Sequence, residues 1–365
     1  MDVATTAAGS AREDLLRAAS RRMAEDHAVG LWLLICCAMV FAMVILGGIT
    51  RLTGSGLSIM EWRPLMGAIP PMTETEWNRV FALYRQIAEY QHVNAGMTLA
   101  GFQEIFWWEY LHRLWGRLIG LAFFLPFIWF LVKGYIRRPF VPRLAALFAL
   151  GALQGLVGWF MVASGFEDRV DVSQYRLVLH LGLALVIYGF MLWSALDLLQ
   201  PERLAGTAAV DMSKHCGIML AVIGLEIGLG GLVAGLHGGL IDNNFPFMGE
   251  RLIASGMFAR EPWWTNFTEN AETAQFLHRL CAGVLAVALI SLVVRVRRRD
   301  LPRIVKLRTY ALPFALAGQA FLGIATLMLV VPVPLAVAHQ AGAIVLLSLG
   351  LFTLHGLRRV GGLAQ

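Results

Sequence analysis

Four histidines, His112, His180, His278 and His339, stand at matching places in a duplicated apolar sequence. Leu111-His112-Arg113-Leu114 matches Leu277-His278-Arg279-Leu280, and Val178-Leu179-His180 matches Val337-Ala338-His339. Ionisable side chains inside apolar spans are costly and usually functional. A neutral imidazole can hold a metal through one ring nitrogen while a hydrogen bond fixes the other. Zinc takes a third or fourth protein ligand, and the sequence repeats no carboxylate or thiol cluster beside both pairs. Haem iron needs only axial ligands, and histidines from facing helices hold a haem in a bundle core. The pattern therefore predicts two bis-histidine haem sites at similar depth. For any one of these histidines, the plainer alternative is a hydrogen bond to a neighbouring helix. The other five, His27, His92, His215, His237 and His355, break the repeat and are expected at the surface or the membrane interface.

The residues around the two pairs differ between the copies. Glu109 stands three before His112, where Gln275 stands three before His278. That spacing shares a helix face. A carboxylate beside a cofactor can exchange protons or stabilise positive charge, and an amide does neither well. The first copy is thus expected to do chemistry and the second to hold a permanent cofactor, unless Glu109 only favours a helix start through the dipole. Arg113 and Arg279 follow their histidines, placed either to bind haem propionates or to snorkel to headgroups. Gly116 and Gly120 lie one and two turns beyond His112. They allow close helix packing or leave room for a flat macrocycle.

Membrane helices carry these residues. The chain has 365 residues, 58% of them hydrophobic and only 15% charged. Soluble domains carry about a quarter charged residues. A span needs roughly 20 apolar residues, and eight such runs are predicted, near 30–48, 111–132, 144–163, 176–196, 215–236, 276–294, 309–331 and 335–356. Gly47-Gly48 matches Gly230-Gly231, and Gln154 with Gly158 matches Gln319 with Gly323. The expected fold is all-α and polytopic: eight transmembrane helices as two parallel four-helix-bundle repeats. Its parts are an N-terminal tail (1–29), a first half (30–200), a linker (201–213), a second half (214–357) and a C-terminal tail (358–365).

Charge sets orientation rather than a nucleic-acid role. The net charge is +6, but Lys and Arg cluster in short connections and form no continuous reading surface. The positive-inside rule puts both termini in the cytoplasm and the long loops 49–110 and 237–274 outside, with the histidines near the outer face. The tail mixes both signs of charge, unlike a transit peptide or a cleaved signal. Cys36, Cys37, Cys216 and Cys281 all fall inside spans and are expected to act as small apolar filler. The stretch 73–105 looks amphipathic and helical and is expected to cap the first site. The Phe106-Trp107-Trp108 cluster that follows reads as an interfacial belt bordering that site.

Gly47-Gly48-Ile49-Thr50-Arg51-Leu52-Thr53, Ser55-Gly56-Leu57-Ser58, Glu61-Trp62 and Phe106-Trp107-Trp108-Glu109-Tyr110-Leu111-His112-Arg113 resemble haem A synthases, and the likeness runs from about residue 28 to 357. The resemblance implies an oxidoreductase of the bacterial inner membrane. Such enzymes convert the methyl on porphyrin carbon 8 of haem O to a formyl group, with water as oxygen source, to supply haem A to cytochrome oxidase. It implies that His112 and His180 ligate the substrate haem O, that Glu109 is the glutamate required for activity, and that His278 and His339 ligate a resident haem b. Partners implied are membrane lipid, the farnesyltransferase that makes haem O, and cytochrome oxidase assembly factors; a homo-oligomer is compatible. Some members carry cysteine pairs in the outer loops, and this chain has none there. A bis-histidine iron has no open position, so either one ligand leaves to let oxygen bind or the methyl is oxidised at the macrocycle edge and attacked by water; the second is the expected route. Two other classes compete: a di-haem electron-transfer protein of b type, and a repeat-built transporter.

Overall fold

The computed structural model describes residues 3–63, 66–166, 169–200 and 209–360. Pro64, most of the expected linker (201–208) and the last five residues lie outside the described residues. The helices are α1 (Val3–Leu52), α2 (Glu74–Tyr84), α3 (Ala88–His92), α4 (Leu99–Val132), α5 (Val141–Ala163), α6 (Gln174–Leu199), α7 (Val210–Gly235), α8 (Asn266–Glu269), α9 (Ala271–Arg297), α10 (Arg303–Met328) and α11 (Val333–Arg359). Eight of them, α1, α4, α5, α6, α7, α9, α10 and α11, are long and apolar enough to cross a membrane. The described residues contain no β-strand; an isolated bridge joins Met248 and Arg251.

Local chemistry sets several helix ends. Thr73 caps α2 by accepting from Glu76 N, while the Glu76 carboxylate accepts from Met72 N at 2.8 Å. This variant of the capping box satisfies donors that the first turn leaves free. Asn270 caps α9 by accepting from Glu272 N and Thr273 N. At the end of α4, Gly134 takes φ +71, a conformation that costs glycine least. Gly134 N then donates to Leu131 O and Tyr135 N to Phe130 O, while the Tyr135 and Phe130 rings pack at 5.8 Å. That is a Schellman ending with its apolar contact.

The expected spans differ from the helices mainly at α1 and α4. α1 is 50 residues long, about 75 Å at 1.5 Å per residue, against a hydrocarbon core of about 30 Å. The helix therefore runs unbroken from the tail into the first span. α4 begins at Leu99 rather than near 111, and at 34 residues is longer than a span needs, with the added turns at the end bearing the long loops. Part of the expected cap, 99–105, thus belongs to α4, and the rest is the two short helices α2 and α3.

In the first half α1 packs on α4 and α6, and α5 lies between α4 and α6. In the second half α7 packs on α9 and α11, and α10 lies between α9 and α11. α1, α6, α7 and α11 join the two rings along the centre.

The apolar core is not continuous. One large cluster of buried side chains fills the end away from the long loops, from Leu33 and Phe127 to Leu196, Met219, Leu292 and Leu354. A smaller cluster, with Tyr84, Phe102, Phe106 and Tyr110, lies in the cap over the first bundle. The four repeated histidines belong to neither cluster.

Candidate functional site: two histidine pairs on glycine seats

Each of the four histidines lies against a glycine of the neighbouring helix. A Cβ placed on Gly47 of α1 would stand 3.3 Å from His112 of α4, and one on Gly158 of α5 would stand 2.9 Å from His180 of α6. In the second bundle the distances are 3.2 Å from Gly230 of α7 to His278 of α9, and 2.7 Å from Gly323 of α10 to His339 of α11. Only a residue without a Cβ lets an imidazole come this close to the neighbouring backbone. The glycines that the sequence marked as repeat signatures are therefore the seats of the rings.

One turn before each seat, on the same helix face, stand Met43, Gln154, Glu226 and Gln319. Gln154 Nε2 donates to the His180 carbonyl at 3.0 Å and lies 3.2 Å from His180 Nδ1. Gln319 Nε2 donates to the His339 carbonyl at 2.8 Å, and the Gln319 carbonyl pairs with His339 Nδ1 at 3.1 Å. Glu226 Oε1 stands 3.1 Å from His278 Nδ1. These three rings turn Cε1 to the seat, whereas His112 turns its Nε2–Cδ2 edge to Gly47. Met43 carries no strong acceptor for an imidazole N–H, which accounts for the difference.

The His278 and His339 rings face each other with centroids 6.3 Å apart and planes at 89°. Two imidazoles that each bind one metal at about 2 Å hold their centroids about 6 Å apart. With both Nδ1 atoms turned towards α7 and α10, each ring keeps Nε2 for such a metal. The donor set, two neutral imidazoles in an apolar bundle, suits haem iron. The described residues hold no cluster of three or more His, Cys, Asp or Glu that would suit an ion such as zinc. The side-chain oxygens of Gln154 and Gln319 are buried without a partner in the same layer.

Above the histidines, Glu109 and Gln275 clasp the loop that follows the first helix of their bundle. Glu109 is 2% exposed. Its Oε2 accepts from Ser58 Oγ and Ile59 N, both at 2.7 Å, and its Oε1 accepts from Arg113 Nε and Nη2 at 3.0 and 2.6 Å. Arg113 also donates to the Glu61 and Ile59 carbonyls. The Thr53–Ser58 turn that presents these groups is held by Ser55 N donating to Thr50 O and by the Thr53 and Ser55 hydroxyls at 2.6 Å. Gln275 works with opposite polarity: its Nε2 donates to the Gly238 and Ile241 carbonyls at 2.9 and 2.8 Å. Its Oε1 accepts from Arg279, which also holds the Asp242, Asn244, Pro246 and Phe247 carbonyls. Both arginines thus anchor loops, and every nitrogen of Arg113 is engaged there.

Several expectations change. A carboxylate beside only the first pair was the basis for dividing the labour, yet Glu226 reaches His278 in the second. Glu226 stands alone in an apolar run, and only its place one turn before Gly230 could have marked it. His355 is not a surface residue: it is 2% exposed and stands 3.1 Å from Asp197 Oδ1. His215 Nε2 pairs with the Ala288 carbonyl of α9 at 2.9 Å, which satisfies it inside the bundle. His27 and His92 are exposed, and the exposed His237 pairs with Asp171 at 2.8 Å. The four cysteines are buried and free. A Cβ on Gly116 would meet Met43 Cε at 3.3 Å, whereas one on Gly120 would meet nothing within 4 Å. Gly120 is thus not a helix contact. The aromatic belt splits: Phe106 and Tyr110 stack at 6.1 Å inside the cap, while Trp107 and Trp108 are exposed.

The cap holds one further buried acid. Glu89 lies beneath Tyr84, whose hydroxyl donates to it at 3.3 Å and accepts from Asn94 at 2.7 Å. Burial pushes the Glu89 carboxyl up to about 7. At the rim, hydrogen bonds from Arg79 hold the Glu61 carboxyl below its usual range.

Fold and site define a polytopic membrane protein with two bundles of matched histidine pairs. Residues 30–351 match the family COX15-CtaA, described as cytochrome oxidase assembly protein. A haem A synthase of Nitrosospira multiformis is 47% identical over 341 residues, covering 93% of this chain and 96% of that protein. Those of Rhodospirillum centenum and Nitrosomonas eutropha are 49% and 48% identical, covering 93% and 92% of this chain and 90% and 95% of theirs. The chain belongs to this family of cytochrome oxidase assembly proteins.

Proposed function

We propose that this chain is an oxidoreductase that makes haem A, oxidising the carbon 8 methyl of haem O to a formyl group with water as the oxygen source. The methyl carbon gains the oxygen of one water and loses hydrogen as protons and electrons, so the reaction needs a proton outlet and an electron acceptor. His112 and His180 hold the substrate haem O in the first bundle. His278 and His339 hold a resident haem b in the second. The observation that carries this reading is the repeated seat: four imidazoles on four glycines, with the second pair spaced for one iron.

The chain's own residues bind, orient and enclose. The seat glycines let each imidazole approach the neighbouring helix, and the residue one turn before three of them engages the ring or its backbone. The Glu109–Arg113 clasp closes the Thr53–Ser58 loop over the first bundle and fixes a carboxylate at its mouth. There the carboxylate opposes positive charge developing at the porphyrin edge and takes a proton if Arg113 shifts its hold. The cap of α2 and α3 limits water at that mouth. A resident haem b supplies one-electron redox chemistry. Arg113 and Arg279 act first as loop anchors, with propionate contacts secondary. The site lies at the outer side of the bacterial inner membrane, with both termini in the cytoplasm. Haem O reaches it from the lipid or from the farnesyltransferase that makes it.

The clasp also favours a second reading. Because Glu109 and Gln275 do the same structural work, a di-haem electron-transfer protein of b type would need no chemistry from Glu109. Haem extraction and mass analysis of the purified protein, expressed with and without the haem O-producing farnesyltransferase, separates the two. Formyl or hydroxylated haem appearing only with that enzyme supports the synthase. Haem b alone in both supports electron transfer, and a colourless protein defeats both.

A further inference from the structure

Glu226 is the one acidic residue among the four that precede the histidine seats by a turn. Its Oε1 is 3.1 Å from His278 Nδ1, an ion-pair distance, while its Oε2 and His278 Nδ1 are both buried without a hydrogen-bond partner. The approach is off the hydrogen-bond line, and the Glu226 backbone carbonyl also faces the ring. On the far side of the pair, His339 Nδ1 meets only the neutral Gln319 carbonyl at 3.1 Å. The matching position of the first bundle carries Met43. Glu226 lies nine residues from the loop end of α7, about 14 Å along the axis and well inside the hydrocarbon. A carboxylate at that depth costs several kcal/mol unless it has a function or a partner. The Cys281 thiol, one turn beyond His278, lies against the same carboxyl.

We infer that Glu226 is a positioning residue that fixes the His278 ring with Nε2 towards His339 and strengthens it as an iron ligand. This rests on the proposed haem b site. A carboxylate held against the distal ring nitrogen makes an imidazole a stronger donor, as in carboxylate–histidine–metal triads. A stronger donor favours the ferric over the ferrous ion, and hydrogen bonding and charge around the ligands set haem potential. The second-bundle haem is thereby held at a lower potential than two carbonyl-bonded imidazoles would give. No counterpart acts on the first pair, so the two irons differ in potential through this side chain.

The test is a redox titration of purified full-length protein, followed by its b-type absorption, for the parent chain, Glu226→Gln and Glu226→Met. Both variants should keep the haem. Their ferric preference should fall about tenfold, which raises the midpoint by about 59 mV, with a matching change in the low-spin ferric resonance spectrum. Glu226→Asp should restore part of the shift. Retained haem with an unchanged midpoint overturns the inference and leaves the site intact. Loss of haem from both Gln and Met variants also overturns it, since Glu226 would then be structural only. Absence of haem b from the parent chain defeats the underlying site reading instead.

Discussion

In the first bundle the loop is clasped by a carboxylate that receives hydrogen bonds, and in the second by an amide that gives them. Glu109 takes Ser58 Oγ, Ile59 N and Arg113; Gln275 gives to Gly238 O and Ile241 O and takes Arg279. One design thus tolerates either polarity, because each loop presents the complementary backbone groups. At the histidine layer the chemistry reverses, with Met43 below the first pair and Glu226 below the second. The bundles therefore differ in where the acid stands, not in whether one is present: at the mouth in one, behind a ring in the other.

The largest difference between the bundles should appear on removing one histidine at a time. His278→Ala or His339→Ala should remove most b-type absorption per protein, whereas His112→Ala or His180→Ala should leave it and abolish haem A. Equal haem loss from all four variants would end the division between a substrate bundle and a cofactor bundle.

Swapping the clasps is the next largest test. Glu109→Gln should retain haem but cut haem A yield at least about a hundredfold, the range for a lost acid–base or electrostatic group. Gln275→Glu should leave haem A chemistry in place. It turns a carboxylate towards two loop carbonyls and should cost about 1–3 kcal/mol of stability, read as a lower thermal midpoint in detergent. Normal haem A yield from Glu109→Gln would reduce that residue to a loop clasp.

The seats grade the comparison further. Gly158→Ala and Gly323→Ala set a Cβ 2.9 and 2.7 Å from an imidazole and should cost about 1–3 kcal/mol by overpacking. Gly47→Ala and Gly230→Ala, at 3.3 and 3.2 Å, should cost less. Haem occupancy and thermal unfolding rank the four, and a reversed order would mean that the rings do not rest on these glycines.

The smallest effect is in the cap. Glu89 has its pKa raised by burial to about 7 from the ordinary 4.5, with Tyr84, Asn94, Glu109 and Asp171 around it. The folded cap then binds a proton that the unfolded cap has lost. Its contribution is complete below about pH 4.5 and declines as pH rises through about 7. Amide protection in 74–92, taken relative to the intrinsic rise of exchange with pH, should fall between about pH 5 and pH 8, and Glu89→Gln should flatten that dependence. A parent chain with no pH trend would show that Glu89 stays ionised.

Residue types and their spacing suffice for the solvent and the duplication. Apolar run length fixes eight spans because lipid forces every backbone group into helices, and repeated His, Gly and Gln positions mark both pairs before any folding is known. The sequence also placed Glu109 and Gln275 as the point of difference between the copies. Helix ends were less legible. α4 starts well before its apolar run because Thr98 and the cap contacts, not hydropathy, set its first turns. Which helix each ring meets depends on packing. The pairing of Gly47 with His112 and of Gly230 with His278 joins residues far apart in the chain, so no local period reports it. For the same reason Glu226 became part of the second site only when α7 met α9, since a side chain's partner is set by packing between helices and not by its neighbours in sequence.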